Sequence, residues 1–128
     1  MRLLVVEDEH SLREDIARKL RLSGYEVDAC ADGEAALEAL AAERYDLVLL
    51  DLNLPKVSGL EVLRELRAHP RTRLLPVVIL SASSEPRDVR AAALLGANSY
   101  VRKPLDYGRL RETVEMLGRY WLDLNIPP

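Results

Sequence analysis

Four chemically active groups each follow a run of apolar residues. Glu7-Asp8 follows Leu3-Leu4-Val5-Val6, Asp51 follows Leu47-Val48-Leu49-Leu50, Ser81 follows Val77-Val78-Ile79-Leu80, and Lys103 follows Tyr100-Val101 with one residue between. Short apolar runs bounded by turn residues read as buried strands. In an open parallel α/β sheet, ligands bind in the crevice beyond the carboxyl ends of the strands. Glu7, Asp8 and Asp51 would therefore meet at one edge, with Ser81 and Lys103 beside them. Two carboxylates about 4 Å apart repel by roughly 4 kcal/mol at an effective dielectric of about 20. Protons or cations must settle that repulsion. A hard divalent ion such as Mg²⁺ suits a set of oxygen ligands, and Lys103 supplies a second cation. A carboxylate beside a metal, a lysine and a hydroxyl can act as a nucleophile and carry an acyl phosphate.

The elements that must position these groups alternate along the chain. Strands are expected at Arg2–Val6, Tyr25–Cys30, Asp46–Leu50, Val77–Leu80 and Asn98–Val101. Helical spacing appears between them. Leu12, Ile16 and Leu20 form one stripe. Leu37 and Leu40 turn inward in a helix opened by Asp32-Gly33. Leu60, Leu63 and Leu66 share a face after Ser58-Gly59. Val89, Ala92 and Ala93 are expected to face inward after Pro86. Leu110, Val114, Leu117 and Trp121 form a last stripe, in a helix beginning at Asp106. Five strand–helix repeats predict an α/β fold, a doubly wound five-stranded parallel sheet with helices on both faces. Residues 1–121 are expected to form this one domain, with 122–128 as an extended tail.

Composition narrows the function. The 128 residues carry a net charge of −3, with 48% hydrophobic and 30% charged residues. The scattered arginines form no basic stripe, which argues against a nucleic-acid partner. No apolar stretch reaches membrane-spanning length, and the chain starts at once on a strand with no signal-peptide pattern. The cytoplasm is the expected location. Cys30 has no partner for an internal disulfide and reads as an inert core residue, while His10 and His69 form no metal spacing.

The ordered fragments Val5-Val6-Glu7-Asp8, Leu50-Asp51-Leu52-Asn53-Leu54-Pro55, Gly59, Val78-Ile79-Leu80-Ser81-Ala82, Gly96-Ala97, Tyr100 and Lys103-Pro104 resemble a response-regulator receiver domain of the chemotaxis-regulator kind. The resemblance implies flavodoxin-like strand order 2-1-3-4-5 and a histidine kinase as partner. It implies that Asp51 is the phosphoacceptor and Asp8 a magnesium ligand, with Glu7 acting directly or through water and the Asn53 backbone carbonyl adding a ligand. It further implies that Ser81 and Lys103 bind phosphoryl oxygens, that Tyr100 switches with Ser81, and that the Lys103-Pro104 bond is cis. The surface of the fourth and fifth helices and the fifth strand would then rearrange, with no separate substrate turned over.

Asp51-Leu52-Asn53-Leu54-Pro55, His69-Pro70 to Pro76, Gly96 to Tyr100 and the Tyr120-Trp121 ending are also similar to single-domain regulators that partner phytochrome-type histidine kinases. Leu122, Leu124 and Ile126, with Tyr120 and Trp121, make an apolar ending. It either joins the last helix and strand in a homodimer or folds back on its own domain. Two other readings stand beside the switch: a degenerate receiver acting as a docking module, and an aspartate-nucleophile phosphohydrolase. Asn53 occupies the place where such hydrolases carry a second acid.

Overall fold

The computed structural model describes residues 1–83 and 85–124, with the side chains from 121 onward left aside. Its elements are β1 (Arg2–Val6), α1 (His10–Leu22), β2 (Glu26–Cys30), α2 (Gly33–Ala42), β3 (Leu47–Asp51), α3 (Gly59–Ala68), β4 (Val77–Ser81), α4 (Pro86–Leu94), β5 (Ser99–Arg102) and α5 (Tyr107–Leu124). The strands form one all-parallel sheet in the order β2-β1-β3-β4-β5, as expected. Every residue of β3 and β4 is buried. Central strands covered on both faces need continuous apolar runs, and these have them.

The period-two alternation of the strands divides the core. Leu4, Val6, Val48, Leu50, Val77 and Ile79 face α2, α3 and α4, meeting Ala36, Leu40, Val62, Leu63, Leu66 and Ala92. Leu3, Val5, Leu47, Leu49, Val78 and Leu80 face α1 and α5, meeting Ile16, Ala17, Leu20, Leu110 and Val114. Side-chain caps start α1, α2 and α3. Glu9 accepts from the amides of Ser11 and Leu12, Asp32 from Ala35, and Ser58 from Glu61. Each cap satisfies donors that the first helical turn leaves without partners.

Two expectations need correction. In α4 only Ala92 is buried, while Val89 and Ala93 are exposed. A nine-residue helix with the run Ala91-Ala92-Ala93 offers no contrast in side-chain size to mark its inner face. The last helix starts one residue later than expected and runs to Leu124, past Trp121. Asp106 stands before it and accepts from the Arg109 amide at 3.2 Å. The expected apolar ending, from Trp121 to Ile126, lies outside the described side chains, and so does the question of what it packs on.

At the edge where β4 and β5 begin, Arg67 of α3 ties two loops together. Its guanidinium donates to the carbonyls of Thr72, Arg73 and Leu75, to Gly96, and to Asn98 Oδ1. Asn98 Oδ1 also accepts from the Val77 amide at 2.9 Å. Among the described residues no helix is long and apolar enough to cross a membrane.

Candidate phosphoryl-transfer site

The sheet order makes the chain leave in opposite directions on either side of β1, so a crevice opens between β1 and β3 at their carboxyl ends. The register pairs Val6 with Leu50, which sets Glu7 beside Asp51. Carboxylate oxygens of Glu7, Asp8 and Asp51 lie within 4.8 Å of one another. Glu7 is fully buried and Asp51 is 3% exposed, while Asp8 opens to solvent.

Lys103 is delivered by the turn after β5, where its peptide bond to Pro104 is cis. Its amide donates to the Ser81 carbonyl at 2.8 Å, which fixes the lysine to the end of β4. The ammonium contacts Glu7 Oε1 and stands 3.4 Å from Asp51 Oδ2. Burial works against the ammonium, but the ion pair with Glu7 and the charge of Asp51 outweigh it and raise its pKa. Burial pushes the Glu7 carboxyl above its usual range, against the pull of Lys103, and the charge of Asp51 adds to the push.

Three carboxylates facing one ammonium leave two negative charges over if all are ionised. Glu7 Oε2 accepts from the Glu9 amide at 3.1 Å, and Asp51 Oδ1 from the Asn53 amide at 3.3 Å. Glu7 Oε1 is buried without a well-directed hydrogen bond, despite the nearby ammonium. A hard divalent cation fits this donor set: oxygens only, an excess of negative charge and an under-satisfied buried acceptor. Glu7, Asp8 and Asp51 could hold it.

Ser81 is fully buried, and its Oγ accepts from the Ser83 amide at 3.0 Å. Tyr100 is half-buried, and its hydroxyl donates to the Ser83 carbonyl at 3.1 Å. Ser81 and Tyr100 are thus both tied to Ser83, whose own hydroxyl donates to Asp88 Oδ2 at 2.6 Å. Sequence reasoning named Ser81 and Tyr100 but missed Ser83. A serine two residues past a strand carries no periodic signal, and only the shared partner reveals it. Arg13 was missed for the same reason: its guanidinium reaches back from α1 to the carbonyls of Glu7 and Asp8. Cys30 packs against the core, and burial pushes its thiol up to about 11, in keeping with an inert thiol. His10 and His69 are exposed.

Comparison with known proteins places the chain in a family. The sequence pattern of the response regulator receiver domain matches residues 3–115. The chain is 38% identical to the probable methanogenesis regulatory protein FilR2 of Methanothrix harundinacea, covering 98% of this chain and 86% of that one. It is 37% identical to the response regulator ArlR of Staphylococcus saprophyticus over 92% of this chain, yet it spans only 52% of ArlR. Among solved structures, the response regulator TrrA of Thermotoga maritima, in complex with Mg²⁺ and BeF, superposes with a TM-score of 0.81 at 37% identity. That match covers 91% of this chain and 97% of TrrA. The pattern match spans most of the chain, including both acids after β1, the end of β3 and the lysine after β5, and this chain belongs to the response regulator receiver domain family.

Proposed function

We propose that Asp51 accepts a phosphoryl group from the phosphohistidine of a histidine kinase, in a Mg²⁺-dependent reaction. A carboxylate oxygen of Asp51 attacks phosphorus, the phosphorus–nitrogen bond breaks, and the departing imidazole nitrogen takes up a proton. The carrying observation is the Lys103 ammonium held between buried Glu7 and Asp51 at the β1–β3 crevice. Lys103 meets the charge that gathers on the phosphoryl oxygens. Asp8, Glu7, Asp51 and the Asn53 backbone carbonyl would hold the metal, which when bound neutralises the same oxygens. The Mg²⁺ and BeF in the TrrA complex support this reading.

Ser81 then turns toward the new acceptor on Asp51, and Tyr100 follows through their shared partner Ser83. The surface that changes comprises α4, β5 and α5, where Val89, Leu94, Met116 and Tyr120 are exposed. The finer parts of the reading are a phytochrome-type kinase as donor and a homodimer through α5, β5 and the chain end. The Asp51–Pro55 and Gly96–Tyr100 fragments support the first, and the exposed α5 side chains the second.

Incubation with acetyl phosphate and MgCl₂, read by intact mass, tests the core of the proposal. One phosphoryl group should be gained by the wild type and none by Asp51→Asn. Equal uptake by the variant, or full uptake in excess chelator, overturns it.

A further inference from the structure

We infer that Arg13 is a positioning residue for the cation site, acting through the main chain of the two acids; the inference rests on the metal-dependent reading of that site. Arg13 belongs to the first turns of α1, and its own amide is bonded to the Glu9 carbonyl at 2.9 Å. Its Nη1 turns back on the preceding loop and donates to the carbonyls of Glu7, at 3.0 Å, and Asp8, at 3.3 Å. Its Nη2 lies 2.9 Å from His10 Nδ1. Guanidinium is a donor only, so Nδ1 is the acceptor in that contact.

The two acids are held very differently. Glu7 is fixed from several sides: its amide donates to Cys30, one carboxylate oxygen accepts from Glu9, and the other meets Lys103. Among the described residues the Asp8 carboxylate has neither hydrogen bond nor ion pair. Its reach toward Asp51 is therefore set by its backbone, and the side chain gripping that backbone is Arg13. Both carbonyls are met by Nη1, whose two N–H groups lie in the rigid guanidinium plane and so keep fixed directions, whereas the donors of an ammonium turn freely at the end of a flexible stem.

Geometry and charge predict opposite signs for the loss of Arg13. A cation beside an acidic cluster disfavours a second cation, so removal through charge alone tightens metal binding. Loss of a positioning contact loosens it, on the order of tenfold or more for partners one shell beyond the ligands. Binding of Mn²⁺, followed by its electron paramagnetic resonance signal, and of Mg²⁺, followed by calorimetry, reads the sign directly in wild type, Arg13→Ala, Arg13→Lys and His10→Ala. The expected result is weakening by about tenfold in both Arg13 variants, with His10→Ala close to wild type. Arg13→Lys keeps the charge and stem, and it decides the matter if Arg13→Ala does not fold. Unchanged or tighter binding in a folded Arg13→Lys overturns the inference while leaving the metal-dependent reading intact. Absence of metal binding by the wild type overturns that reading, and this inference with it.

Discussion

Gly59 and the backbone of Asp51 are in contact with no room between them: a Cβ at Gly59 would lie 2.2 Å from the Asp51 carbonyl oxygen. The Gly59 amide also donates to Leu52 at 3.0 Å, so the start of α3 is pressed onto the end of β3. Gly59→Ala must push one element off the other. The expected cost is about 3 kcal/mol, in the range for overpacking. Phosphoryl uptake should fall as well, because the residue displaced is the acceptor. Chemical denaturation and intact mass check the two effects. Retained stability would mean that the loop yields instead.

Lys103→Ala leaves Glu7 buried without its cation. Breaking such a pair costs about 2–3 kcal/mol here, below the usual figure for a fully buried pair because Glu7 can take up a proton and the lysine touches solvent. The raised pKa of Glu7 sets the pH dependence. Its contribution is fully present below the ordinary value of 4.5 and is lost as pH rises through the folded value. The variant should therefore lie closest to wild type in mild acid and furthest at neutral pH. Thermal melts from pH 5 to 8 measure the gap; a gap that is constant with pH contradicts the pairing.

Tyr100→Phe removes the hydroxyl that donates to the Ser83 carbonyl. One such bond is worth about 1 kcal/mol. The larger expectation concerns coupling. Amide shifts of the segment from Ser81 to Asp88 on adding beryllofluoride and Mg²⁺ should shrink in the variant, while Asp51 still binds the mimic. An identical shift pattern would show that Ser81 and Tyr100 move independently.

Tyr45, nearly buried, donates to Asp28 Oδ2 at 2.6 Å. That hydrogen bond, helped by Arg2 and opposed by burial, holds the Asp28 carboxyl below its ordinary 3.8. A depressed carboxyl contributes stability above the unfolded value and loses it as pH falls through the folded one. Tyr45→Phe should cost about 1 kcal/mol at neutral pH, with the penalty narrowing below about pH 4. Urea titrations at pH 7 and pH 3 compare the two; an equal penalty at both would show that Asp28 is not the partner that matters.

The positions of Glu7, Asp51 and Ser81 were legible because each follows an apolar run, and a run buried on both faces has one way out of the sheet. The helix starts at Asp32-Gly33 and Ser58-Gly59 were legible because a small polar residue ahead of a helical apolar spacing marks an N-terminus. What the sequence hid depends on contacts between distant segments. Ser83 matters through Tyr100, and Arg13 through carbonyls that carry no side-chain signature. Val62 was missed in α3 because the Leu60, Leu63 and Leu66 spacing already satisfied the pattern, yet it is Val62 that is fully buried while Leu60 is only partly so.

The two ends of α4 are held by different partners, the Arg67 clamp at one and Ser83 at the other. The guanidinium grips Gly96 and Asn98 just beyond that helix, and it also binds the loop that leads into β4. The other end begins at Glu85, whose side chain makes no capping bond; its amide is held by the Ser83 hydroxyl at 3.2 Å. If Ser81 moves as proposed, the pull reaches the first turn of α4 through Ser83, whose hydroxyl also donates to Asp88, and the expected motion is a tilt about Gly96 rather than sliding along the sheet. Amide exchange should register the fulcrum, with slow exchange at Ala97 and Asn98, whose amides donate to Ala92 and Val77, and faster exchange at Glu85.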